Sequence, residues 1–224
     1  MQPMNAPDLE PQTLLVIDDH PLLRKGVSQL VALEPAMRLV GEATDGAEGL
    51  RLARELKPDL ILLDLQMRGM GGLDALRAIK ALDLDTRVIM FTVSDSEEDV
   101  LAALQAGADG YLLKDMEPEE MLASLRQAAR GRLVLSAPVT ELLARALRHE
   151  GPAAGLPLSE LTEREHQILL HIAAGKSNKL IARELDITEG TVKVHVKHVL
   201  KKLGLRSRVE AAVWAVKTGL APRA

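Results

Sequence analysis

Acidic side chains that follow short apolar runs are the most chemically suggestive feature of this sequence. Asp18 and Asp19 follow Leu14-Leu15-Val16-Ile17, and Asp64 follows Leu60-Ile61-Leu62-Leu63. Continuous apolar runs of this length read as strands buried on both faces. In an open parallel sheet, ligands collect outside the carboxyl ends of the strands, where these acids would stand. Two further runs end in Thr92 and Lys114. Carboxylates brought together at one edge repel one another unless a cation sits among them. A hard divalent ion such as Mg2+ suits oxygen donors and keeps several waters. Asp64, fixed by its apolar run and followed by the segment Gly69–Gly72, is the acid placed to attack a phosphoryl group beside such an ion. Thr92 would hydrogen-bond the resulting phosphate and Lys114 would pair with it. Singly, each residue has a plainer reading: the Asp pair a cap or turn, Lys114 a solvated lysine, Thr92 an ordinary strand residue. Their occurrence at the ends of different strands favours the site.

The elements that must position these groups are legible. Strands are predicted at Thr13–Ile17, Arg38–Ala43, Leu60–Leu63, Val88–Thr92 and Gly110–Leu113. Helices are predicted at Pro21–Leu33, Gly46–Leu56, Leu73–Leu82, Glu97–Gln105 and Pro118–Arg130. Pro21 and Pro118 mark first turns, and Ser96 with Glu97, Glu98 and Asp99 forms a capped acidic start. Strand and helix in strict alternation imply an α/β domain, a (βα)5 doubly wound parallel sheet covered on both faces. From Ala137 the pattern changes. Val139–Arg148 reads as one more helix, and GPAAGLPLS as the linker. Leu161–Ala174, Asn178–Leu185, Glu189–Leu203 and Ser207–Thr218 then read as a small all-α domain. The expected organisation is residues 12–131, a linker over 132–157 and a second domain over 158–224.

Composition narrows the function. The chain of 224 residues has no cysteine, which excludes disulfides, thiol catalysis and cysteine-held zinc. Its opening MQPMNAPDLEPQ lacks the basic start and apolar run of a signal peptide, and no stretch approaches the roughly 20 apolar residues that cross a bilayer. A soluble, cytoplasmic protein with no membrane partner is the expectation. The net charge of −4 divides unevenly. Residues 1–151 carry 16 basic against 25 acidic side chains, and residues 152–224 carry 12 against 7. Only the second half suits a polyanion.

Within that half, Asn178–Leu185 and Glu189–Leu203 flank the short connection Asp186-Ile187-Thr188, the pattern of a helix-turn-helix. At about 100° per residue, Val192, Val196, Val199 and Leu203 share one face of the longer helix. Lys193, Val194, Lys197 and Lys201 lie opposite. An apolar Val194 among lysines suits a thymine methyl, with Lys193 and Lys197 reaching guanine edges or phosphates. The plainer alternative is a solvated lysine face with one stray valine. His195 and His198 read as surface histidines rather than phosphate contacts.

The segments LLVIDDHPLLRKG, DLILLDLQM, VIMFTVSD and GADGYLLKD resemble the receiver domain of two-component response regulators, a flavodoxin-like fold. The resemblance implies that Asp64 accepts phosphate from a sensor histidine kinase, and that Asp18 and Asp19 form an acidic pocket. It makes Asp19, Asp64 and the Gln66 backbone carbonyl the Mg2+ ligands, and Thr92 with Tyr111 the switch pair. Tyr111 also fits as a half-buried packing ring. Two departures stand out: many receivers have Pro where Arg68 stands, and a cis-forming Pro where Asp115 follows the lysine. LTEREHQILLHIAAGKSNKLIARELDITEGTVKVHVKHVLKKLGLRSRVEAA resembles the LuxR-type DNA-binding domain, which places the chain near the NarL/LuxR-type family and its nitrate/nitrite-responsive members. By that resemblance Lys193, Val194 and Lys197 read bases, and Lys179, Arg206 and Arg208 contact phosphate more weakly. It further implies a closed state that hides Glu189–Leu203 until Asp64 is phosphorylated, and a homodimer formed through Ser207–Thr218 on inverted half-sites of double-stranded DNA. RNA polymerase is a candidate partner. A regulator is expected rather than an enzyme, beyond dephosphorylation of itself. The alternatives are a receiver-controlled protein-binding module and an aspartate-nucleophile phosphohydrolase, although the latter usually has a second acid where Gln66 stands.

Overall fold

A computed structural model describes residues 11–142, 161–176, 178–205, 208–218 and 220. The polar opening segment through residue 10, most of the expected helix Val139–Arg148, and the linker GPAAGLPLS lie outside the described residues. The chain falls into two compact units, one up to Thr86 and one from Arg87.

The first unit alternates β1 (Gln12–Ile17), α1 (Pro21–Ala32), β2 (Met37–Ala43), α2 (Gly46–Leu56), β3 (Leu60–Leu63) and α3 (Gly72–Ala81). Strand β1 pairs in parallel with β2 on one side and β3 on the other, and Leu14↔Leu60 through Ile17↔Leu63 fix the register with β3. Leu14–Ile17 and Leu60–Leu63 are fully buried, as their unbroken apolar runs require of strands covered on both faces. At the opposite end of these strands Asp59 accepts from the Thr13 amide at 2.8 Å and its hydroxyl at 2.7 Å, which locks the starts of both strands together. Proline opens α1, whereas Asp45 caps α2 by accepting from the amides of Ala47 and Glu48.

The second unit begins with β4 (Arg87–Thr92), α4 (Glu97–Gln105), β5 (Gly110–Leu113), α5 (Pro118–Ala129) and β6 (Val134–Leu135). Strands β4, β5 and β6 also pair in parallel. The strand order is β2-β1-β3 in the first unit and β4-β5-β6 in the second. The expected α/β alternation holds, and β6 is an addition. It has two residues, paired as Gly110↔Val134 and Tyr111↔Leu135, too short for an alternation to show in sequence.

Residues beyond 160 form α6 (Glu163–Ala173), α7 (Asn178–Leu185), α8 (Glu189–Lys202) and α9 (Arg208–Lys217). Thr162 and Glu165 make a reciprocal capping box that starts α6. Thr188 caps α8 through the Thr191 amide. The turn between α7 and α8 passes through Asp186 at φ 52°, a left-handed conformation that aspartate tolerates better than most residues. Ile168, Leu169, Ile172, Ile181, Val192, Val199, Leu203 and Ala215 make one buried cluster. Val192, Val199 and Leu203 are the face predicted to pack inward, and Val196 packs beside them partly buried.

Candidate phosphoacceptor and metal site

The acids at the ends of β1 and β3 are held together by the sheet itself. The hydrogen-bond ladder runs one residue past each strand: the Asp18 amide donates to the Ala43 carbonyl at 3.1 Å and the Asp64 amide to the Ile17 carbonyl at 2.9 Å. Asp18 and Asp64 are each only 2% exposed. Asp19, Asp18, Asp64 and His20 each offer a ligand atom, and these atoms lie within 4.8 Å of one another. This is the convergence the sequence predicted. Asp19 Oδ1 is buried without a hydrogen-bond partner, although His20 Nδ1 stands 2.9 Å away outside hydrogen-bond geometry.

The surrounding loops are tightly set. A Cβ at Gly72 would collide with the Asp64 carbonyl, so only glycine lets α3 start this close to the strand end. The Gly72 amide donates to the Leu65 carbonyl at 2.9 Å, closing the loop that holds Gln66, Arg68 and Gly69. Gln66 is exposed, and its amide approaches Asp64 Oδ1 at 3.4 Å. Arg24, one turn into α1, donates to the Asp18 carbonyl at 2.6 Å and lies 3.4 Å from Glu42 Oε2. A cleft of about 770 Å3 opens beside the acids, with Asp19, His20, Thr44, Arg68 and Met70 among its walls. Arg68, where many receivers have proline, is exposed in that wall.

The second unit holds a chain of contacts of its own. Thr92 is buried at the end of β4, and its Oγ1 accepts from the Ser94 amide at 3.3 Å. The Tyr111 ring is fully buried in β5, not half-buried, and its hydroxyl donates to the Ser94 carbonyl at 2.8 Å. Ser94 therefore joins the two residues expected to act as a switch pair. Lys114 follows β5, and its amide donates to the Thr92 carbonyl at 2.9 Å. Asp115, in place of the usual proline, is exposed, and no cis peptide bond occurs among the described residues.

On α8, Val194 is 53% exposed, Lys197 and Lys201 are exposed, and Lys193 is half-buried. Arg208 is half-buried, and its guanidinium donates to Asn178 Oδ1 at 2.8 Å and to the Lys176 carbonyl. Burial lowers its pKa to about 10, with Asp109 opposing the shift and Arg87 adding to it. Arg206 and the Lys179 side chain lie outside the described residues. Sequence reasoning missed His20, Arg24 and Ser94. His20 stood beside the acid pair in plain view, but Arg24 and Ser94 act through backbone carbonyls and amides that carry no sequence signature.

The family comparisons agree with this geometry. A model of the response regulator receiver domain matches residues 14–126, and a model of bacterial regulatory proteins of the luxR family matches residues 159–215. The chain belongs to the response regulators that join a receiver to a LuxR-type DNA-binding domain, a family of transcriptional regulators rather than enzymes. It is 57% identical to the nitrate/nitrite response regulator NarL of Escherichia coli strain K12, over 92% of this chain and 95% of that one. It is 47% identical to NarP, a nitrate/nitrite response regulator of the same strain, over 92% and 95%. A solved LuxR-family response regulator from Aurantimonas sp. SI85-9A1 superposes with a TM-score of 0.59 at 32% identity, covering 62% of this chain and 99% of that one.

Proposed function

We propose that a sensor histidine kinase phosphorylates Asp64, and that this controls DNA binding by α8 at genes that answer to nitrate or nitrite. One observation carries the reading: three acids from two strand ends meet beside an open cleft, in a chain of the receiver family. Two of them are almost wholly buried, and a third has a buried oxygen without a hydrogen-bond partner. That donor set fits a hard divalent cation. Asp19, Asp64 and the Gln66 carbonyl would hold Mg2+, with Asp18 completing the pocket, and the ion supplies charge neutralisation for the phosphoryl group.

The chain's own residues do the rest. An Asp64 oxygen attacks phosphorus, the P–N bond of the kinase phosphohistidine breaks, and its electron pair leaves with the imidazole. Asp64 is fixed for this attack by its place just past β3 and the close approach of Gly72. Lys114, just after β5, and Thr92, the last residue of β4, pair with and hydrogen-bond the new phosphate. The bonds of Thr92 to the Ser94 amide and of Tyr111 to the Ser94 carbonyl support their role as the switch pair, since movement of Thr92 towards phosphate would break the first and free the loop that anchors Tyr111.

In the proposed resting state the DNA-binding helices lie against the receiver. Support comes from Arg208, which feels Asp109 and Arg87, and from Gly175, where an added Cβ would stand 3.5 Å from the Leu133 amide. Once released, α8 reads bases through Lys193, Val194 and Lys197, with Lys179, Lys201, Arg206 and Arg208 as weaker contacts to phosphates. A homodimer formed through α9 on inverted half-sites, RNA polymerase as a downstream partner, and a cytoplasmic location complete the reading. No helix among the described residues is long and apolar enough to cross a membrane. The domain limits are proposed at residues 12–131 and 158–224. Incubation with phosphoramidate and Mg2+ should add one phosphoryl group to the intact mass, and Asp64→Asn should abolish it. Full labelling of the variant would remove Asp64 from its role.

A further inference from the structure

His20 turns its Nδ1 towards all three acids: 2.9 Å from Asp19 Oδ1, 3.2 Å from Asp18 Oδ1 and 4.0 Å from Asp64 Oδ2. Around an ion with bonds of about 2.1 Å, adjacent octahedral ligands stand about 3.0 Å apart and opposite ones about 4.2 Å. The imidazole nitrogen hydrogen-bonds Asp18 Oδ1 and, with the three carboxylates, offers an atom to one cluster within 4.8 Å, small enough for a single ion to bridge. From this we propose that His20 is a fourth protein ligand, which makes the pocket discriminate among divalent ions in favour of late first-row transition metals. The proposal rests on the reading of the acids as a cation site.

The donor chemistry gives the direction of the preference. Carboxylate, carbonyl and water suit Mg2+, whereas an imidazole adds affinity for ions such as Co2+, Ni2+ and Zn2+. The oxygen donors of Asp19, Asp64 and the Gln66 carbonyl suffice for the first class, and the nitrogen matters for the second. The backbone is already set for this. The His20 amide donates to Asp18 Oδ1 at 2.8 Å, and Pro21 at the first position of α1 holds the chain direction just after it. His20 caps α1 without a side-chain hydrogen bond to the helix, so its ring is not committed to capping. The ring is 67% exposed, beside the cleft, so it can turn Nδ1 onto an arriving ion without repacking a core. A late transition metal held this way occupies the ground on which Mg2+ supports phosphorylation.

The test is calorimetric titration of the full chain with Co2+ and, separately, Mg2+, with the ligand-field absorption of Co2+ followed in parallel. Three forms are compared: wild type, His20→Asn and Asp64→Ala. The expected result is that His20→Asn weakens Co2+ binding on the order of ten- to a hundredfold and shifts its absorption, while Mg2+ affinity changes by less than about threefold. Equal losses for both ions, or unchanged Co2+ binding, would overturn the assignment. The chain has six histidines, so Asp64→Ala checks that the Co2+ signal comes from this pocket. If wild type binds neither ion, or Asp64→Ala leaves Co2+ binding intact, the cation site itself is wrong and the His20 assignment goes with it. That pattern differs from a pocket that binds Mg2+ normally but gains nothing from His20.

Discussion

Glu165 is almost completely enclosed yet keeps its charge. Burial alone would raise its pKa, but Lys202 donates to it at 2.7 Å and the Thr162 backbone and hydroxyl add hydrogen bonds, so the carboxyl falls to about 2 from 4.5. Below pH 4.5 the unfolded chain takes up a proton here and the folded chain does not. The stabilisation is therefore whole above pH 4.5, shrinks as the pH falls, and is gone once it drops through about 2. Glu165→Gln should cost roughly 1–3 kcal/mol at neutral pH, and urea midpoints measured against pH should converge with wild type in the acid range. A gap independent of pH would assign the loss to packing. This ion pair was not legible in sequence, because it joins residues 37 apart that only the folded bundle brings together. Asp18, Asp19 and Asp64 were legible, because each follows an apolar run whose strand fixes where it ends.

At the scale of the element, α8 shows how far periodicity carries. Its buried face was readable from Val192, Val199 and Leu203, and the exposed Val194 from its place among lysines. The helix is capped at Thr188 and tied to α6 at its far end by the Lys202–Glu165 bond, so the exposed face is presented as a unit. Lys201→Ala should weaken binding to all duplexes alike and reduce the slope of log affinity against log salt by about 1. Val194→Ala should instead cost about 1–2 kcal/mol on the cognate site and much less on unrelated sequence. Competition binding over a salt series separates the two effects, and a uniform loss for Val194→Ala would contradict a base contact. What periodicity could not reveal is β6, whose two residues leave no pattern, or the link through Ser94, which is made by backbone groups.

For the whole molecule, the acidic first part and the basic second part divide the work between storing a phosphoryl group and binding a polyanion. Strand ends gather the carboxylates because parallel pairing brings β1 and β3 into register. Alternation of strand and helix made the receiver readable from sequence. The proposed resting association of receiver and DNA-binding helices was not, since it turns on long-range charge interactions such as that of Arg208 with Asp109. The most direct test is footprinting of the full chain on its operator with and without phosphoramidate and Mg2+, for wild type and Asp64→Asn. Protection should appear at markedly lower protein concentration when wild type is phosphorylated, and the variant should be indifferent to the donor. A variant that responds as fully as wild type would contradict control of DNA binding through Asp64.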